Sequence, residues 1–403
     1  MSGSMLQHSL PMECVQDVFK WLPPTQALKF RRLCKWVDAS LADDGFARRN
    51  VACFVRVHRK HPRQRDADAD GDAAEMGDDA ADGAKMDLDT SAEDGGGLAS
   101  PLQRNKVLVA LVQHRFNCSQ FTALDAHVFL LWPRSHQRVY AQTELPQTKL
   151  IWSKVSALKG ASIPAPLLHL PRLRHLSLSE NGLTGRIPFT LGNLLPSLET
   201  LDLSCNKLVG SIPISITRLQ HLQLLDLSRN RLSETIPSSL GALQNLVVLF
   251  LNGNKFSGEI PASIWTLSRL AALKLDNNAL QGCLPATIEG LRGVELLDLS
   301  SNRLEGPLPP QLGFLTQVYM LYLNWNKFSG SIPPTLGLLP QLLTLNVEGN
   351  RLSGSVPEEL CSLRQLQTLD MSGNAMLSGP LPTHLHRLPF LRYLGIERTG
   401  ITT

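Results

Sequence analysis

The segment from Leu173 to Ile396 repeats one short pattern about ten times, as in LETLDLSCNKLVGSIP and LVVLFLNGNKFSGEIP. Its asparagines and its prolines each recur at steps of 24 or 25 residues, so two residue types report the same unit. A fixed period of this length is typical of a solenoid, in which each unit packs only against its neighbours. The asparagines are Asn181, Asn206, Asn230, Asn254, Asn278, Asn302, Asn326, Asn350 and Asn374.

Each part of the unit has a physical reason. In Leu-x-x-Leu-x-Leu the last two leucines are two residues apart, so Leu201 and Leu203 are expected to point inward from a strand while Asp202 points outward. The asparagine amide both donates and accepts, which predicts a buried ladder that satisfies backbone groups of neighbouring turns. Glycine and proline then end the strand and redirect the chain. The pattern therefore predicts one short strand per unit, with the remainder returning along the outer side.

These features resemble the leucine-rich-repeat family, and the LSGxIP form resembles its plant-type subclass. The resemblance covers residues 161–403 and implies an α/β solenoid, a curved array whose parallel strands line the concave face. Ten strands about 4.8 Å apart would form a sheet roughly 45 Å wide. Two units depart from the pattern: Glu234 replaces the glycine in LSETIP, and Thr399 replaces the asparagine of the last unit. We expect Thr399 to be a weak member of the ladder.

Residues 1–55 are predicted to form a small helical module. In LPMECVQDVFKWLPP the apolar residues from Val15 to Leu22 lie at i, i+3, i+4 and i+7, and a second helix is expected from Thr25. Together with the Leu-Pro pair, this face resembles an F-box, the motif that docks on the Skp-type adaptor of cullin-RING ubiquitin ligases. The resemblance implies a Skp-type adaptor and a cullin as partners. The implied adaptor contacts are Leu10, Pro11, Val18 and Leu22. The alternative is an ordinary helical cap on the solenoid.

Two further segments precede the repeats. Residues 56–100 begin with basic residues and continue into an acidic stretch, 66–94, with twelve Asp or Glu against one Lys. A stretch with almost no large apolar residue cannot offset the entropy of ordering, which predicts a disordered linker. Residues 101–160 regain apolar content and are predicted to form a helical N-terminal cap of the solenoid.

The sequence lacks the motifs of an enzyme. It contains no Gly-rich phosphate loop, no kinase motif, no GxSxG and no metal-spaced set of His and Cys, so we expect no catalytic activity, cofactor or metal. It has no run of 18 apolar residues and no leader pattern, and its seven cysteines are scattered singly. We therefore expect a cytoplasmic or nuclear protein with neither a membrane nor a nucleic-acid partner.

A candidate binding site follows from the residue between the last two leucines of each unit. This position is Asp in four units, within the phrase LDLS or its variants, whereas Phe250, Lys274 and Tyr322 depart from it. Tyr319 and Trp325 lie close to Tyr322 in sequence. Exposed aromatic clusters are common anchors of protein interfaces, so these five residues are predicted to contact an unidentified target protein on the concave face. The competing interpretation is ordinary surface, because single exposed apolar residues are common.

Three functions follow from these features. The first is the substrate-recognition subunit of an SCF-type (Skp-cullin-F-box) ubiquitin ligase, with the F-box on the adaptor and the repeats on the target. The second is an intracellular protein-binding scaffold whose N-terminal helices only cap the array. A receptor ectodomain is disfavoured, because the sequence shows neither a leader pattern nor paired cysteines around the repeats.

Overall fold

The computed structural model describes residues 148–155 and 158–402. The F-box-like module predicted at 1–55, the linker predicted at 56–100 and most of the cap predicted at 101–160 lie outside the described residues. The same is true of Leu10, Pro11, Val18 and Leu22. Positions within a repeat are numbered here from the first leucine of Leu-x-x-Leu-x-Leu, so that the ladder asparagine is position 9.

The described residues form a curved array with a parallel sheet on its inner face. Eleven three-residue strands pair in the order of the chain, and each strand is shifted from the next by one repeat. These strands are β1 (Lys149–Ile151), β2 (His175–Ser177), β3 (Thr200–Asp202), β5 (Leu224–Asp226), β7 (Val248–Phe250), β9 (Ala272–Lys274), β11 (Leu296–Asp298), β13 (Met320–Tyr322), β15 (Thr344–Asn346), β17 (Thr368–Asp370) and β19 (Tyr393–Gly395). The predicted sheet is confirmed.

A second parallel sheet, which the sequence pattern did not predict, is formed by strands that begin one to three residues after position 9 of their units. It comprises β4 (Val209–Gly210), β6 (Arg231–Thr235), β8 (Lys255–Glu259), β10 (Ala279–Gly282), β12 (Arg303–Pro307), β14 (Lys327–Gly330), β16 (Arg351–Gly354), β18 (Met376–Pro380) and β20 (Gly400–Thr402). Most units therefore contribute two strands, not one. The register also differs, because Ser233 pairs with Lys255 and Gln281 pairs with Arg303, which are 22 residues apart.

The chain returns along the outer side through one helical turn per unit. The first of these elements after β2 is the α-helix α1 (Leu191–Leu194). The others are 3-10 helices: Ala165–His169, Ile214–Arg218, Ser238–Ala242, Ala262–Thr266, Ala286–Gly290, Pro310–Phe314, Pro334–Leu338, Glu358–Ser362 and Leu385–Arg387. In most units the repeat proline immediately precedes the helical turn, where its fixed φ suits the entry into the helix.

Leucine stacks fill the core between the two sheets and the helical turns. In the unit that begins at Leu246, the side chains of Leu249, Leu251 and Phe256 are fully buried, and the same positions are buried in the other central units. Burial of one such side chain stabilises the fold by about 1.5–3 kcal/mol before the entropy of ordering is subtracted. No unit could bury these residues alone, so the array folds by stacking.

The predicted asparagine ladder is confirmed, and Asn278 shows its geometry. Its Nδ2 donates to the carbonyls of Leu251 and Leu275 at 3.1 and 3.0 Å, and its Oδ1 accepts from the backbone N–H of Phe256 at 3.0 Å. One side chain thus joins the backbones of adjacent units. Thr399, in contrast, donates to the carbonyl of Ile396 within its own unit.

The described part of the predicted helical cap contains a strand instead. β1 pairs with β2 through Leu150 and Leu176, and Leu150 and Trp152 are buried like the leucines of later units. The repeat therefore begins at least one unit before residue 161. The repeat is less regular here, because Trp152 replaces a leucine and the step to the next unit is 26 residues. The helical cap itself stays a prediction, since the segments predicted as helices lie outside the described residues.

Candidate functional site

The inner face places the residues of position 5 side by side. In the register of the sheet, Asp226 pairs with Phe250, Phe250 with Lys274, Lys274 with Asp298 and Asp298 with Tyr322. Because side chains alternate along a strand and position 4 is buried, position 5 points away from the core. The row that the sequence predicted is therefore continuous in the structure.

In the units that carry Asp at position 5, the carboxylate is bonded within its own unit. Asp226 Oδ1 accepts from the hydroxyl of Ser228 at 2.6 Å and from its backbone N–H at 2.9 Å, and Asp202 and Asp298 bind Ser204 and Ser300 in the same way. Burial, followed by the charge of Asp202, raises the pKa of Asp226 to about 6 despite these bonds. The repeated aspartates therefore have a structural role at the end of each strand.

Phe250 and Lys274 interrupt this pattern in two adjacent units. Both side chains are half-buried, and the ammonium of Lys274 lies 3.9 Å from Oδ2 of Asp298 in the next strand. Burial and the neighbouring Asp276 carboxylate raise the pKa of Asp298 to about 6, while Lys274 acts in the opposite direction. The centre of the face thus combines one aromatic ring, one cation and closely spaced carboxylates.

Tyr322 and Trp325 provide two further aromatic side chains, both in the unit that follows Asp298. The hydroxyl of Tyr322 lies 3.8 Å from the sulfur of Met320 and bonds to Thr344, and burial raises its pKa. Trp325 is 54% exposed, its backbone has a φ of 55°, and its ring lies over Gly349 of the next unit. Its side chain also bonds to Glu348. A large aromatic ring is therefore held in place while half of it faces solvent.

Tyr319 differs from the expectation that it faces solvent. Its side chain is only 8% exposed, and its hydroxyl has no hydrogen-bond partner among the described residues. It lies at position 2, where the side chains of the other units are half-buried or exposed, so its burial is specific to the surroundings of this unit. Tyr319 is thus placed beneath the face and not on it.

A groove on another part of the array was not found from the sequence. It has a cavity volume of about 670 Å³ and is lined by residues of the helical turns of two early units and of the segments that lead into these turns. Phe189 and Ile214, which line it, are 78% and 71% exposed. Each directly follows a repeat proline, and an apolar residue at this place was the available signal.

The described residues contain no metal-binding arrangement. No group of three or more His, Cys, Asp or Glu side chains in this part of the chain is placed to hold a metal ion. In the same residues, no helix has the length and apolar content needed to cross a membrane. Cys205, Cys283 and Cys361 have free thiols.

Comparison with known families gives a match over the repeats. The family profile described as Leucine rich repeat matches residues 171–232, 196–256, 221–280 and 268–328, and a second profile of the same description matches residues 341–363. No curated protein sequence matches the chain.

Solved structures of plant proteins are similar to the array. One is the ectodomain of the receptor kinase GASSHO1/SCHENGEN3 from Arabidopsis thaliana in complex with CASPARIAN STRIP INTEGRITY FACTOR 2, at 31% identity and a TM-score of 0.61 over 67% of this chain and 31% of the receptor chain. The plant peptide hormone receptor RGFR1 in complex with RGF2 is 28% identical, with a TM-score of 0.56 over 67% of this chain and 53% of that chain. A plant ice-binding protein is 33% identical, with a TM-score of 0.52 over 61% of this chain and 80% of that chain. The chain spans about a third to a half of the two receptor chains.

Proposed function

This chain belongs to the leucine-rich-repeat family, and we propose that the inner face of its array binds an extended segment of a target protein. The observation that carries the proposal is the interruption of the Asp–Ser pattern at Phe250, Lys274 and Tyr322, beside the exposed ring of Trp325. The stacking of units does not require these side chains, because the inward leucines complete the core in every central unit. The ligand-bound structures of the two similar receptors support a binding role for this kind of array.

The dimensions of the strip suit a segment of polypeptide. Three strand intervals separate Phe250 from Tyr322, which places them about 14 Å apart across the sheet. Aromatic side chains that become buried on binding are the usual centres of binding energy, and truncation of one commonly costs about 2 kcal/mol or more. Lys274 would supply a polar contact between the aromatic residues.

The test is a double substitution, Tyr322→Ala with Trp325→Ala, in the full chain. Proteins captured from cell extract would be quantified by mass spectrometry for the wild type and the variant. Removal of the two anchors should weaken binding of the true target by at least about thirtyfold, because the loss of even one anchor costs about 2 kcal/mol. The melting temperature should stay close to that of the wild type, since neither side chain belongs to the core.

A matched control is Phe314→Ala with Leu338→Ala. These apolar side chains are 49% and 59% exposed, and they lie on the helical turns of the outer side. Their loss should not alter capture. If the Tyr322/Trp325 variant binds the target as tightly as the wild type does, recognition lies elsewhere on the protein.

We further propose that residues 1–55 attach this array to a Skp-type adaptor and a cullin, which would make the chain the substrate-recognition subunit of an SCF-type ubiquitin ligase. The Leu10-Pro11 pair and the apolar helical face through Val18 and Leu22 support this role. In this proposal the chain recruits its target in the cytoplasm or nucleus and catalyses no step itself, since ubiquitin transfer belongs to the other subunits.

The ligase proposal has a separate test. Replacement of Val18 and Leu22 by Asp should abolish co-purification of adaptor and cullin, because a charge in an apolar interface is costly to desolvate. Capture through the inner face should persist. If the wild-type chain brings down neither adaptor nor cullin, the ligase role is wrong and the alternative, a protein-binding scaffold, remains.

A further inference from the structure

Position 7 of the repeat also departs from the common pattern, in units where position 5 is not Asp. In the units with Asp202, Asp226 and Asp298, position 7 is a serine whose hydroxyl donates to that carboxylate. In the units with Lys274 and Tyr322, position 7 is Asp276 or Asn324 instead. These two residues have no carboxylate two positions earlier, so the bond made in the other units cannot form.

Both replacements leave a buried acceptor without a donor. Oδ1 of Asp276 and Oδ1 of Asn324 have no hydrogen-bond partner among the described residues. Asp276 is only 7% exposed, and its other oxygen accepts from Nδ2 of Asn277 at 2.8 Å. A buried polar atom without a partner destabilises a protein, and more strongly when it is charged. A ligand that supplies a donor to each oxygen would recover this free energy.

The charge of the face indicates which donors suit it. From Asp202 to Asp370, positions 5 and 7 carry six carboxylates and one ammonium, that of Lys274. The six carboxylates are Asp202, Asp226, Asp276, Asp298, Glu348 and Asp370. A cationic donor gains from this field in addition to its hydrogen bond, whereas an acidic segment is repelled. Trp325 adds an exposed ring face on which a guanidinium or ammonium group can rest.

The spacing of the two acceptors restricts the ligand further. Asp276 and Asn324 lie two units apart, which corresponds to about 10 Å between strands. In a polyproline II segment, residues i and i+3 lie on the same side and about 9 Å apart. In a β-extended segment, residues i and i+3 point to opposite sides, so this conformation does not reach both acceptors with neighbouring side chains.

Resting on the proposed function of the inner face, we infer that its ligand is a basic segment in polyproline II conformation with Lys or Arg at positions i and i+3. One basic side chain donates to Asp276. The other donates to Asn324 and lies against Trp325, whose side chain is held by Glu348. Both acceptors become accessible by rotation about the terminal side-chain torsion, which is broad for Asp and Asn.

The test uses displayed twelve-residue peptides selected against the full chain. Four pools are randomised except for one fixed feature: Arg at i and i+3, Arg at i and i+2, Glu at i and i+3, or no fixed residue. We expect the first pool to be enriched at least about tenfold over the others. The selected peptides should bind at least about tenfold more weakly to the Asp276→Ala, Asn324→Ala double variant.

Two controls make the outcomes distinct. Asn252→Ala changes position 7 in the unit of Phe250, where no orphaned side-chain oxygen exists among the described residues, and should leave binding unchanged. The isosteric Asp276→Asn removes the charge and turns one of the two acceptor oxygens into an NH2 donor, but it keeps one acceptor, so it should weaken binding less than the double alanine variant does.

In one outcome, the other three pools are enriched as strongly as the pool with Arg at i and i+3, while their peptides still fail to bind the Tyr322/Trp325 variant. This result would overturn the basic i, i+3 ligand and leave the proposed function standing. Binding that survives the Asp276/Asn324 double variant would overturn it as well. If no pool binds the wild type more tightly than the Tyr322/Trp325 variant, both this inference and the proposed function fail.

Discussion

Two regions of the same inner face differ in how their outward side chains are bonded. At Asp202 and Asp226 the outward carboxylates are bonded by serines of their own units, so they complete the ends of the strands. At Lys274 and Tyr322, two and four units further along, the serine is absent and side-chain oxygens lack donors. The leucine core beneath the two regions is the same. Repeated residues therefore serve the fold, while departures from the repeat at exposed positions are candidates for binding.

The first prediction has the largest expected effect. It tests whether the asparagine ladder stabilises the central units as it does the other units. Asn278→Ala removes one donor and one acceptor that join adjacent units: the N–H of Phe256 loses this acceptor, and the carbonyl of Leu251 keeps only the bond from Nδ2 of Asn254. We expect the free energy of unfolding to fall by about 1–3 kcal/mol, measured by urea denaturation. Asn252→Ala, at position 7 of the preceding unit, should change it by less than about 0.5 kcal/mol. Equal effects of the two substitutions would contradict a structural role for the ladder at this point.

The second prediction concerns the region of bonded carboxylates. The pKa of Asp226 is about 6 in the folded protein, above its ordinary value of 3.8. The folded state therefore holds more protons than the unfolded state between about pH 4 and 6, and stability falls as the pH rises through this window. Asp226→Asn removes the ionisation and keeps an acceptor for Ser228. We expect the variant to be more stable than the wild type by about 1–2 kcal/mol at pH 7.5.

The measurement is thermal or urea unfolding of both proteins at pH 7.5 and at pH 4. At pH 4 the carboxyl of Asp226 is largely protonated in the folded wild type, so the difference between the two proteins should nearly vanish. A variant that is less stable at pH 7.5 would show that the bonds to Ser228 outweigh the burial of the charge.

The smallest expected effect comes from a departure that is not part of the binding face. Glu234 occupies the glycine position of the second sheet with a φ of 73°, where equivalent glycines such as Gly258 have a φ of 76°. The left-handed region strains a residue with a Cβ by about 1–2 kcal/mol. Glu234→Gly should therefore raise the free energy of unfolding by about 1 kcal/mol, after the added entropy of the unfolded chain is subtracted.

Ser233→Gly is the matched control, because Ser233 lies in the same strand with an ordinary negative φ. It should lower stability by about 0.5–1 kcal/mol. Destabilisation by Glu234→Gly would show that the Glu234 side chain makes a favourable interaction, and this departure from the repeat would then also be a candidate for function.

Most of the inner sheet could be predicted from the sequence, because a strict period fixes both the leucines and their register. The row from Asp226 through Phe250 to Tyr322 follows from that period alone. The second sheet could not be predicted, since segments such as KFSGE are short, polar and interrupted by a glycine, and do not alternate clearly between apolar and polar residues. The burial of Tyr319 could not be predicted from the sequence either. Positions 2 and 3 both lie outside the leucine pattern, and only neighbouring units decide which of them is covered.

The offset register of the second sheet has a consequence for the path of the chain from one unit to the next. On the inner face, equivalent residues of successive units pair directly, so they are about 4.8 Å apart. In the second sheet, Ser233 pairs with Lys255 instead of its equivalent Ser257, and the offset of two residues adds about 6.6 Å along the strand. Equivalent residues there are thus about 8 Å apart. The strands of this sheet are therefore tilted relative to the line that joins equivalent residues, and the chain covers part of the distance to the next unit while it runs along them.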